Sequence, residues 1–183
     1  MKCRDMVTGL PILSLDEVPD WERFQDLVQA YFQQSVKRSD NQITSVIAKK
    51  TGRGSDGGRD ILVKMQMNDG IQVFERIWVV QCKFCASAGR AELATVNLPS
   101  LLASYKAHGY LLICSGRVTS SLSTMLEELE TTDLEKRRCF IYWDGDQFCD
   151  KLYEATELMP RFFPAYNAAL ILEQERMKKL LGS

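Results

Sequence analysis

The sequence predicts an α/β domain in three layers, with a mixed β-sheet covered by helices on both faces. An amphipathic helix comes first, two strands joined by a tight turn follow it, and buried strands then alternate with helices. At 183 residues, the chain is long enough for one domain of ordinary size. Its apolar fraction of 45% and charged fraction of 26% are those of a soluble globular protein.

The first half of the chain contains a helix, a short strand and a hairpin. Apolar residues at spacings of three and four predict a helix over residues 19–34, with a proline in its first turn. Residues 43–48 form a short strand candidate. The next strand begins at Asp60, the turn residues 68–70 close a hairpin, and residues 74–84 return as a longer strand. The centre of that returning strand is apolar on both faces, which is typical of a central strand.

The second half predicts strands and helices in alternation. Pro99 begins a helix that continues to His108, and Gly109 closes it as a C-terminal cap. Asp146 is the predicted N-cap of a later helix. The remaining elements are a buried strand over 110–114, a helix over 121–130, a strand over 140–143, a helix over 147–153 and a last helix over 164–181.

Domain limits and compartment follow from composition. We expect residues 1–15 to form an N-terminal arm, 16–163 the main domain, and 164–183 a helix that packs on the domain or links it to a partner or further domain. The six cysteines lack the regular spacing of a disulfide framework, which favours a reducing cytoplasm. No apolar run approaches the roughly 20 residues of a membrane span, and the N-terminus lacks the apolar stretch of a secretory signal.

Charge is distributed unevenly along the chain. Residues 45–120 contain ten Lys and Arg against five Asp and Glu, whereas the whole chain has a net charge of −1. An acidic isoelectric point argues against a protein that coats nucleic acid nonspecifically. The basic centre is compatible with a groove that receives a phosphate backbone, although chance clustering would explain it equally well.

One acidic residue and one tripeptide are the strongest candidates for a functional site. Asp60 follows a glycine-rich turn, and Gln81-Cys82-Lys83 ends the strand that returns from the hairpin. Side chains alternate along a strand, so Gln81 and Lys83 share one face and Cys82 points to the other. The Asp60 carboxylate, the Gln81 amide oxygen and the backbone carbonyl of Cys82 are ligands suited to Mg²⁺ or Mn²⁺, and Lys83 could act on a bound water or on a phosphate. These residues predict metal-dependent phosphodiester hydrolysis.

Other interpretations of these residues are weaker. Asp60 could be an ordinary turn residue and Lys83 a solvated strand end. The glycines of residues 52–57 match a dinucleotide-binding fingerprint, but a strand rather than a helix follows them, so we expect no such cofactor. Cys82 and Cys85 form a single pair, and zinc would need two more ligands. With one histidine in the chain, paired-histidine nuclease sites are also disfavoured.

The chain resembles the Mrr-type restriction endonucleases of the PD-(D/E)XK nuclease superfamily. The resemblance rests on the turn over residues 51–60, the hairpin after it, and residues 80–83, and it extends along most of the chain. It implies the restriction-endonuclease-like α/β/α fold and a branch in which Gln replaces the acidic residue of the second motif. By position, Asp60, Gln81 and Lys83 match the catalytic residues, and Asp56 matches a supporting residue.

The resemblance also implies a departure in the first helix. The family usually has a Glu directly after a Phe there, which contributes to the metal site, whereas Gln25 follows Phe24 in this chain. Glu22 or Asp26 could substitute, and we retain Glu22 as an additional metal-site candidate. A weakened metal site would favour the alternative that the chain is a catalytically silent nucleic-acid-binding or oligomerisation module with the same fold.

We therefore expect a Mg²⁺-dependent DNA endonuclease, the effector of a prokaryotic restriction or anti-phage defence protein. Cutting both strands of a duplex implies a homodimer or higher oligomer, and the family implies sensor or NTPase domains in a larger protein. Six basic residues are candidates for DNA-phosphate contacts: Lys49, Lys50, Arg53, Arg59, Arg90 and Arg117.

Overall fold

A computed structural model describes residues 12–38, 42–51, 59–132 and 137–180. Within these residues it has seven strands and six helices, and the first helix is followed by a strand and a hairpin, as the sequence predicts. The strands are β1 (Ile43–Lys50), β2 (Ile61–Asn68), β3 (Val73–Lys83), β4 (Ser87–Ala88), β5 (Gly109–Cys114), β6 (Arg117–Val118) and β7 (Cys139–Trp143). The helices are α1 (Trp21–Gln33), α2 (Leu98–Ser104), α3 (Ser120–Thr132), α4 (Gly145–Leu152), α5 (Met159–Phe162) and α6 (Pro164–Leu180).

The central sheet is mixed, which confirms the prediction. Its strand order is β1-β2-β3-β5-β7; β1, β2 and β3 are antiparallel neighbours, whereas β3, β5 and β7 run parallel. Opposite residues in the register include Ile61 with Val80, and Trp78 with Gly109. A second, two-stranded sheet joins β4 to β6 beside the end of β3. Thus β3 pairs with its antiparallel hairpin partner β2 on one side and with the parallel strand β5 on the other.

Two apolar cores, one on each face of the sheet, produce the three layers. The first core joins α1, α4 and α5 to one face through residues such as Phe24, Phe148 and Phe162. The second joins α2 and α3 to the opposite face through residues such as Leu102 and Leu126. Burial of this apolar surface is the main force holding the helices on the sheet. The predicted three-layer α/β/α architecture with a central mixed sheet is therefore confirmed.

Local polar contacts explain where several elements begin. The Asp20 side chain accepts a hydrogen bond from the Arg23 N–H at 2.8 Å and caps α1. In the hairpin turn, Asp69 Oδ1 accepts from the N–H groups of Ile71 and Gln72, and Gly70 has a φ of +86°, a conformation that glycine adopts without strain. The turn thus matches its sequence prediction.

Three predicted helix boundaries are wrong. Helix α1 begins at Trp21 after the N-cap Asp20, so Pro19 precedes the helix and is not in its first turn. Helix α2 ends at Ser104, and Gly109 is the first residue of β5, where its backbone lies against the Trp78 ring. His108 extends the strand pairing, because its N–H donates to the Ile77 carbonyl at 2.8 Å and its carbonyl accepts from the Cys139 N–H at 3.1 Å. Its Nδ1 also accepts from the Ile77 N–H at 3.1 Å. The N-cap of α4 is Asp144, not Asp146: Asp144 and Gln147 form a reciprocal capping box.

The ends of the described chain differ in burial. Leu13 and Leu15 are buried in the first core. At the other end, Tyr166 of α6 is buried, but every residue from 174 to 180 is exposed. Among the described helices, none combines the length and apolar character that crossing a bilayer requires.

Candidate active site

Backbone hydrogen bonds join Asp60 to β3 on one side and to Thr51, the residue after β1, on the other. The Asp60 N–H donates to the Val80 carbonyl at 3.0 Å, and its carbonyl accepts from the Thr51 N–H at 2.9 Å. The Thr51 hydroxyl adds a further bond to the same carbonyl at 3.1 Å. Asp60 therefore sits at a fixed position directly before β2, between the ends of β1 and β3.

The Asp60 carboxylate contacts the backbone of β3. Its Oδ2 accepts a hydrogen bond from the Cys82 N–H at 2.7 Å, a length typical of a charged acceptor. Because Cys82 lies between Gln81 and Lys83 in sequence, this bond brings the carboxylate to the tripeptide that the sequence pairs with it. A carboxylate has further acceptor capacity, so this bond leaves Asp60 able to bind a cation.

The side chains of the tripeptide alternate across the sheet. Cys82 packs against the first core with Trp78 and Val80, whereas Gln81 and Lys83 turn to the face that α2 and α3 cover. Burial raises the pKa of the Cys82 thiol well above its usual value, and the Asp60 charge raises it further. The Cys82 side chain is therefore a protonated thiol at neutral pH, as expected of a small buried side chain. The backbone carbonyl of Cys82, and not its sulfur, is the group considered as a metal ligand.

Among the described residues, Gln81 is polar and yet buried, with 7% of its surface exposed. Its Oε1 accepts a hydrogen bond from the hydroxyl of Tyr110 on β5 at 2.5 Å. An amide oxygen has two lone pairs, so this bond leaves one for another partner. Gln81 was predicted from the sequence but Tyr110 was not, because a tyrosine within an apolar strand looks like an ordinary core residue.

Lys83 has an acidic partner that was not predicted from the sequence. Its Nζ lies 3.3 Å from Oε2 of Glu92, a residue of the short 3₁₀ helix Arg90–Leu93. Both side chains are partly exposed, and such ion pairs contribute about 1 kcal/mol or less. The Lys83 ammonium can therefore exchange Glu92 for another anion at little cost. The signal available in the sequence was weak, since residues 91–97 fit neither a helix nor a strand clearly.

A second ion pair lies on the α1 side of the sheet. The Lys50 ammonium contacts the Asp26 carboxylate, and it lies 3.5 Å from the backbone carbonyl of Glu22. The Lys50 charge also lowers the pKa of the Cys82 thiol, although burial outweighs it, so Lys50 lies near the candidate site. Of the two acids considered as replacements for the family Glu, Asp26 is the one whose carboxylate reaches this lysine, and Glu22 is exposed.

The predicted DNA-contacting residues differ in their surroundings. Lys49, Arg90 and Arg117 are exposed, whereas Lys50 is paired with Asp26. The Arg59 guanidinium lies over the Tyr105 ring at 4.1 Å from its centroid. Arg53 and Asp56 lie outside the described residues.

Two of these basic residues lie near the Lys83 end of the sheet. Arg117 opposes Ser87 in the small β4–β6 sheet, and Arg90 follows β4 by two residues. Both strands of that sheet come directly after the ends of β3 and β5, where Lys83 is paired with Cys114. The basic side chains therefore cluster around the same end of the central sheet as Lys83.

The donor set fits a hard divalent cation. Asp60 provides a carboxylate, Gln81 an amide oxygen and Cys82 a backbone carbonyl, all oxygen ligands of the kind that Mg²⁺ and Mn²⁺ prefer. In the part of the chain that the structure describes, no cluster of three or more His, Cys, Asp or Glu residues could hold a metal by itself. A site with one acidic residue suits an ion that keeps several waters and also binds phosphate oxygens.

Comparisons with known proteins find a matching family model and similar solved structures. A family model described as a restriction endonuclease, the Mrr catalytic domain, matches residues 17–150. Among solved structures, the MspJI restriction endonuclease in complex with a 27-mer oligonucleotide is 12% identical, with a TM-score of 0.47 over 80% of this chain and 32% of that one. AspBHI, a DNA modification-dependent restriction endonuclease, is 15% identical, with a TM-score of 0.45 over 93% of this chain and 43% of its own.

The part that resembles this chain is less than half of the length of either solved protein chain. Among curated proteins, no sequence matches this one.

Proposed function

Because the chain belongs to the Mrr-type restriction endonuclease family, we propose that it is a divalent-metal-dependent endonuclease that hydrolyses phosphodiester bonds in DNA. The observation that best supports this function is the 2.7 Å hydrogen bond between the Cys82 N–H and Asp60 Oδ2. It joins the two motifs at the end of one hairpin, so that a carboxylate, an amide oxygen and an ammonium surround the same short stretch of β3.

Each residue of the site has a distinct proposed role. Asp60, Gln81 and the Cys82 carbonyl would hold Mg²⁺ or Mn²⁺, which supplies Lewis acidity toward a phosphate oxygen and lowers the pKa of bound water. Lys83 would leave Glu92, orient the attacking water and stabilise negative charge on the phosphate. We keep Glu22 as a further candidate at the metal site, and we add Asp26 because its carboxylate contacts Lys50.

DNA would be held by the basic residues around the site. Arg90 and Arg117 are exposed near the Lys83 end of the sheet, and Lys49 is exposed on β1. Arg59, the neighbour of Asp60, is oriented by the Tyr105 ring. Lys50 would contribute less directly, because Asp26 neutralises it. Such contacts to phosphates position a strand without reading its sequence.

We propose that residues 16–163 form the nuclease domain of a larger defence assembly in prokaryotic cytoplasm. One site per chain implies two copies for cleavage of both strands, so the working form would be a homodimer or a larger oligomer. Helix α6 is a candidate link to such a partner or to sensor or NTPase domains, since Leu172 and Leu180 are 66% and 70% exposed.

A catalytically silent binding module is the second candidate. Gln25 stands where the family has a metal-site Glu, and both lysines near Asp60 and Cys82 are engaged by acids: Lys50 by Asp26, and Lys83 by Glu92. Such a module would bind DNA without cutting it. The nuclease and the silent module are therefore both expected to bind DNA, and only the nuclease is expected to cleave it.

Plasmid cleavage separates the two candidates. Supercoiled and linear duplex DNA are incubated with the chain in Mg²⁺, Mn²⁺ or EDTA, beside Asp60→Asn and Lys83→Met variants. Lys64→Met is the matched control, because it removes an ammonium from β2 at the position that opposes Ile77, six residues before Lys83.

The nuclease predicts cleavage that requires metal, survives Lys64→Met and disappears in the other two variants. DNA binding without cleavage in every form would support the silent module. Equal cleavage by the wild type and all variants would place the activity outside this site.

A further inference from the structure

The hydroxyl of Tyr110 and the amide of Gln81 form a buried hydrogen-bonded pair beside the candidate metal site. Tyr110 is fully buried on β5, opposite Val79 of β3, so it is the diagonal neighbour of Gln81 on the same face of the sheet. The hydroxyl donates to Gln81 Oε1 at 2.5 Å. Among the described residues, Gln81 is the hydrogen-bond partner of this hydroxyl.

The hydroxyl of Tyr110 is a donor toward the amide oxygen of Gln81. A phenol carries its proton at neutral pH, so this donor is present there. Gln81 directly precedes Cys82, whose N–H donates to Asp60 Oδ2 at 2.7 Å. The phenol, the amide and the carboxylate therefore adjoin the same end of β3.

The hydrogen bond selects one of two orientations of the Gln81 amide. In the observed orientation, the amide oxygen receives the phenolic proton and keeps a second lone pair. If the amide were reversed, its NH₂ group would take that position, and the buried phenolic proton would lose the acceptor it has among the described residues. Leaving a buried donor unpaired is unfavourable, so Tyr110 disfavours the reversed amide.

We propose that Tyr110 is a positioning residue, which fixes the Gln81 amide so that its oxygen, and not its NH₂ group, faces a divalent cation held with Asp60. The proposal rests on the proposed function, because it concerns the same metal site. Groups that hydrogen-bond a metal ligand orient it, and their removal commonly weakens metal binding or activity about 10- to 100-fold. Tyr110 need not touch DNA or the ion to have this effect.

Mn²⁺ binding to the purified chain, followed by electron paramagnetic resonance without DNA, tests the proposal. Tyr110→Phe keeps the buried ring and removes only the hydroxyl. We expect it to weaken Mn²⁺ binding about 10- to 100-fold. Tyr142→Phe is the matched control, since Tyr142 packs partly against the same core on the neighbouring strand β7, and its Mn²⁺ affinity should stay at the wild-type value.

A double-mutant cycle distinguishes positioning from a general effect on the fold. In a Gln81→Ala background, Tyr110→Phe should cause no further loss of Mn²⁺ affinity, because the amide that it orients is gone. In cleavage assays, Tyr110→Phe should raise the metal concentration needed for half-maximal rate and leave the rate at saturating metal within about threefold of wild type. A purely structural role would change thermal stability without this shift.

The outcomes separate this inference from the proposed function. Mn²⁺ binding that Asp60→Asn abolishes and Tyr110→Phe leaves unchanged would overturn the role of Tyr110 and leave the nuclease proposal standing. Equal losses from Tyr110→Phe with and without Gln81 would also overturn it. Absence of Mn²⁺ binding in the wild type would overturn both.

A measurement on the wild-type chain serves if Tyr110→Phe fails to fold. The buried phenolic proton of Tyr110, assigned by its loss in Gln81→Ala, should be visible in proton nuclear magnetic resonance spectra. Mg²⁺ should shift this signal in the wild type and leave it unchanged in Asp60→Asn. A signal that Mg²⁺ does not move in the wild type would contradict the proposal.

Discussion

The Asp60 carboxylate and the Cys82 N–H are joined by a 2.7 Å hydrogen bond across the end of the β2–β3 hairpin. The Asp60 backbone is also bonded to Val80 of the same strand. Asp60 is consequently part of the sheet as well as part of the candidate metal site. Substitutions of Asp60 that keep or remove an acceptor oxygen therefore separate its contribution to the stability of the sheet from its role at the candidate metal site.

Asp60→Asn and Asp60→Ala should reduce cleavage alike and affect stability differently. Both remove the negative charge, and we expect cleavage to fall at least about 100-fold in each. Asparagine retains an oxygen for the Cys82 N–H, whereas alanine leaves that donor unpaired at a cost of about 1–3 kcal/mol. Urea unfolding should show the larger loss only for alanine. Equal stability of the two variants would contradict the structural role.

Glu92→Gln should have little effect on folding. The Lys83–Glu92 pair is partly exposed, so its loss should change the free energy of unfolding by about 1 kcal/mol or less. Because Lys83 no longer has to leave an acid, cleavage should be at least as fast as in the wild type. Cleavage kinetics at saturating metal test this. A tenfold slower variant would mean that Glu92 assists the reaction.

Arg90→Ala and Arg117→Ala should weaken DNA binding in a salt-dependent way. Removing one contact to a phosphate reduces the slope of log K against log salt by about one. The decrease in affinity should be similar for unrelated DNA sequences, since phosphate contacts carry no sequence information. Fluorescence anisotropy over a range of salt concentrations measures both quantities. Arg176→Ala on α6 is the control, and an identical slope in all three variants would remove the two arginines from the DNA-binding surface.

Gly109→Ala should destabilise the sheet. A Cβ at Gly109 would lie 2.4 Å from the Trp78 ring, so β3 and β5 would have to separate or the ring would have to move. Overpacking of this kind costs about 1–3 kcal/mol. Gly89→Ala is the matched control, because its Cβ would meet Thr119 Oγ1 at 3.7 Å, an ordinary contact. Thermal unfolding of both variants should show a loss only at Gly109.

Stability should fall at alkaline pH because of buried thiols. Burial, the largest cause, raises the pKa of Cys149 and of Cys114 to about 12 in the folded chain. An unfolded thiol ionises near pH 8.5, so the folded state binds more protons above that pH. The stabilising contribution is complete below about pH 8.5 and is lost as the pH rises toward 12. Cys149→Ala should reduce the alkaline slope of unfolding free energy, and an unchanged slope would refute the assignment.

Local patterns predicted the hairpin and the alternation of Gln81, Cys82 and Lys83 across the sheet. Alternation along β3 and the turn at Gly70 depend on neighbours in sequence, so they could be recognised without the fold. Gly109 was misassigned because its role depends on the Trp78 ring, which lies on another strand. Asp144 could have been recognised, since Gln147 three residues later is the signature of a capping box.

The side-chain partners of Gln81 and Lys83 could not be predicted for the same physical reason. Tyr110 and Glu92 approach Gln81 and Lys83 from elements that are distant along the chain or poorly defined in sequence. A buried tyrosine has no sequence pattern that distinguishes an ordinary core ring from one whose hydroxyl donates to a buried amide. The pairing of β3 with β5 brings Tyr110 to Gln81, and the 3₁₀ helix Arg90–Leu93 brings Glu92 to Lys83.

The hairpin also determines which changes in chain length this site can tolerate during evolution. Asp60, Gln81 and Lys83 all belong to β2, β3 and the residue before them, whereas α2 lies in the longer connection from β3 to β5. Added residues in that connection would cost little closure entropy and would leave the hairpin register unchanged. One residue inserted within β3 would instead exchange the faces of Cys82 and its neighbours. We therefore expect homologous chains to vary in length between β3 and β5 and to conserve the spacing from Gly70 to Lys83.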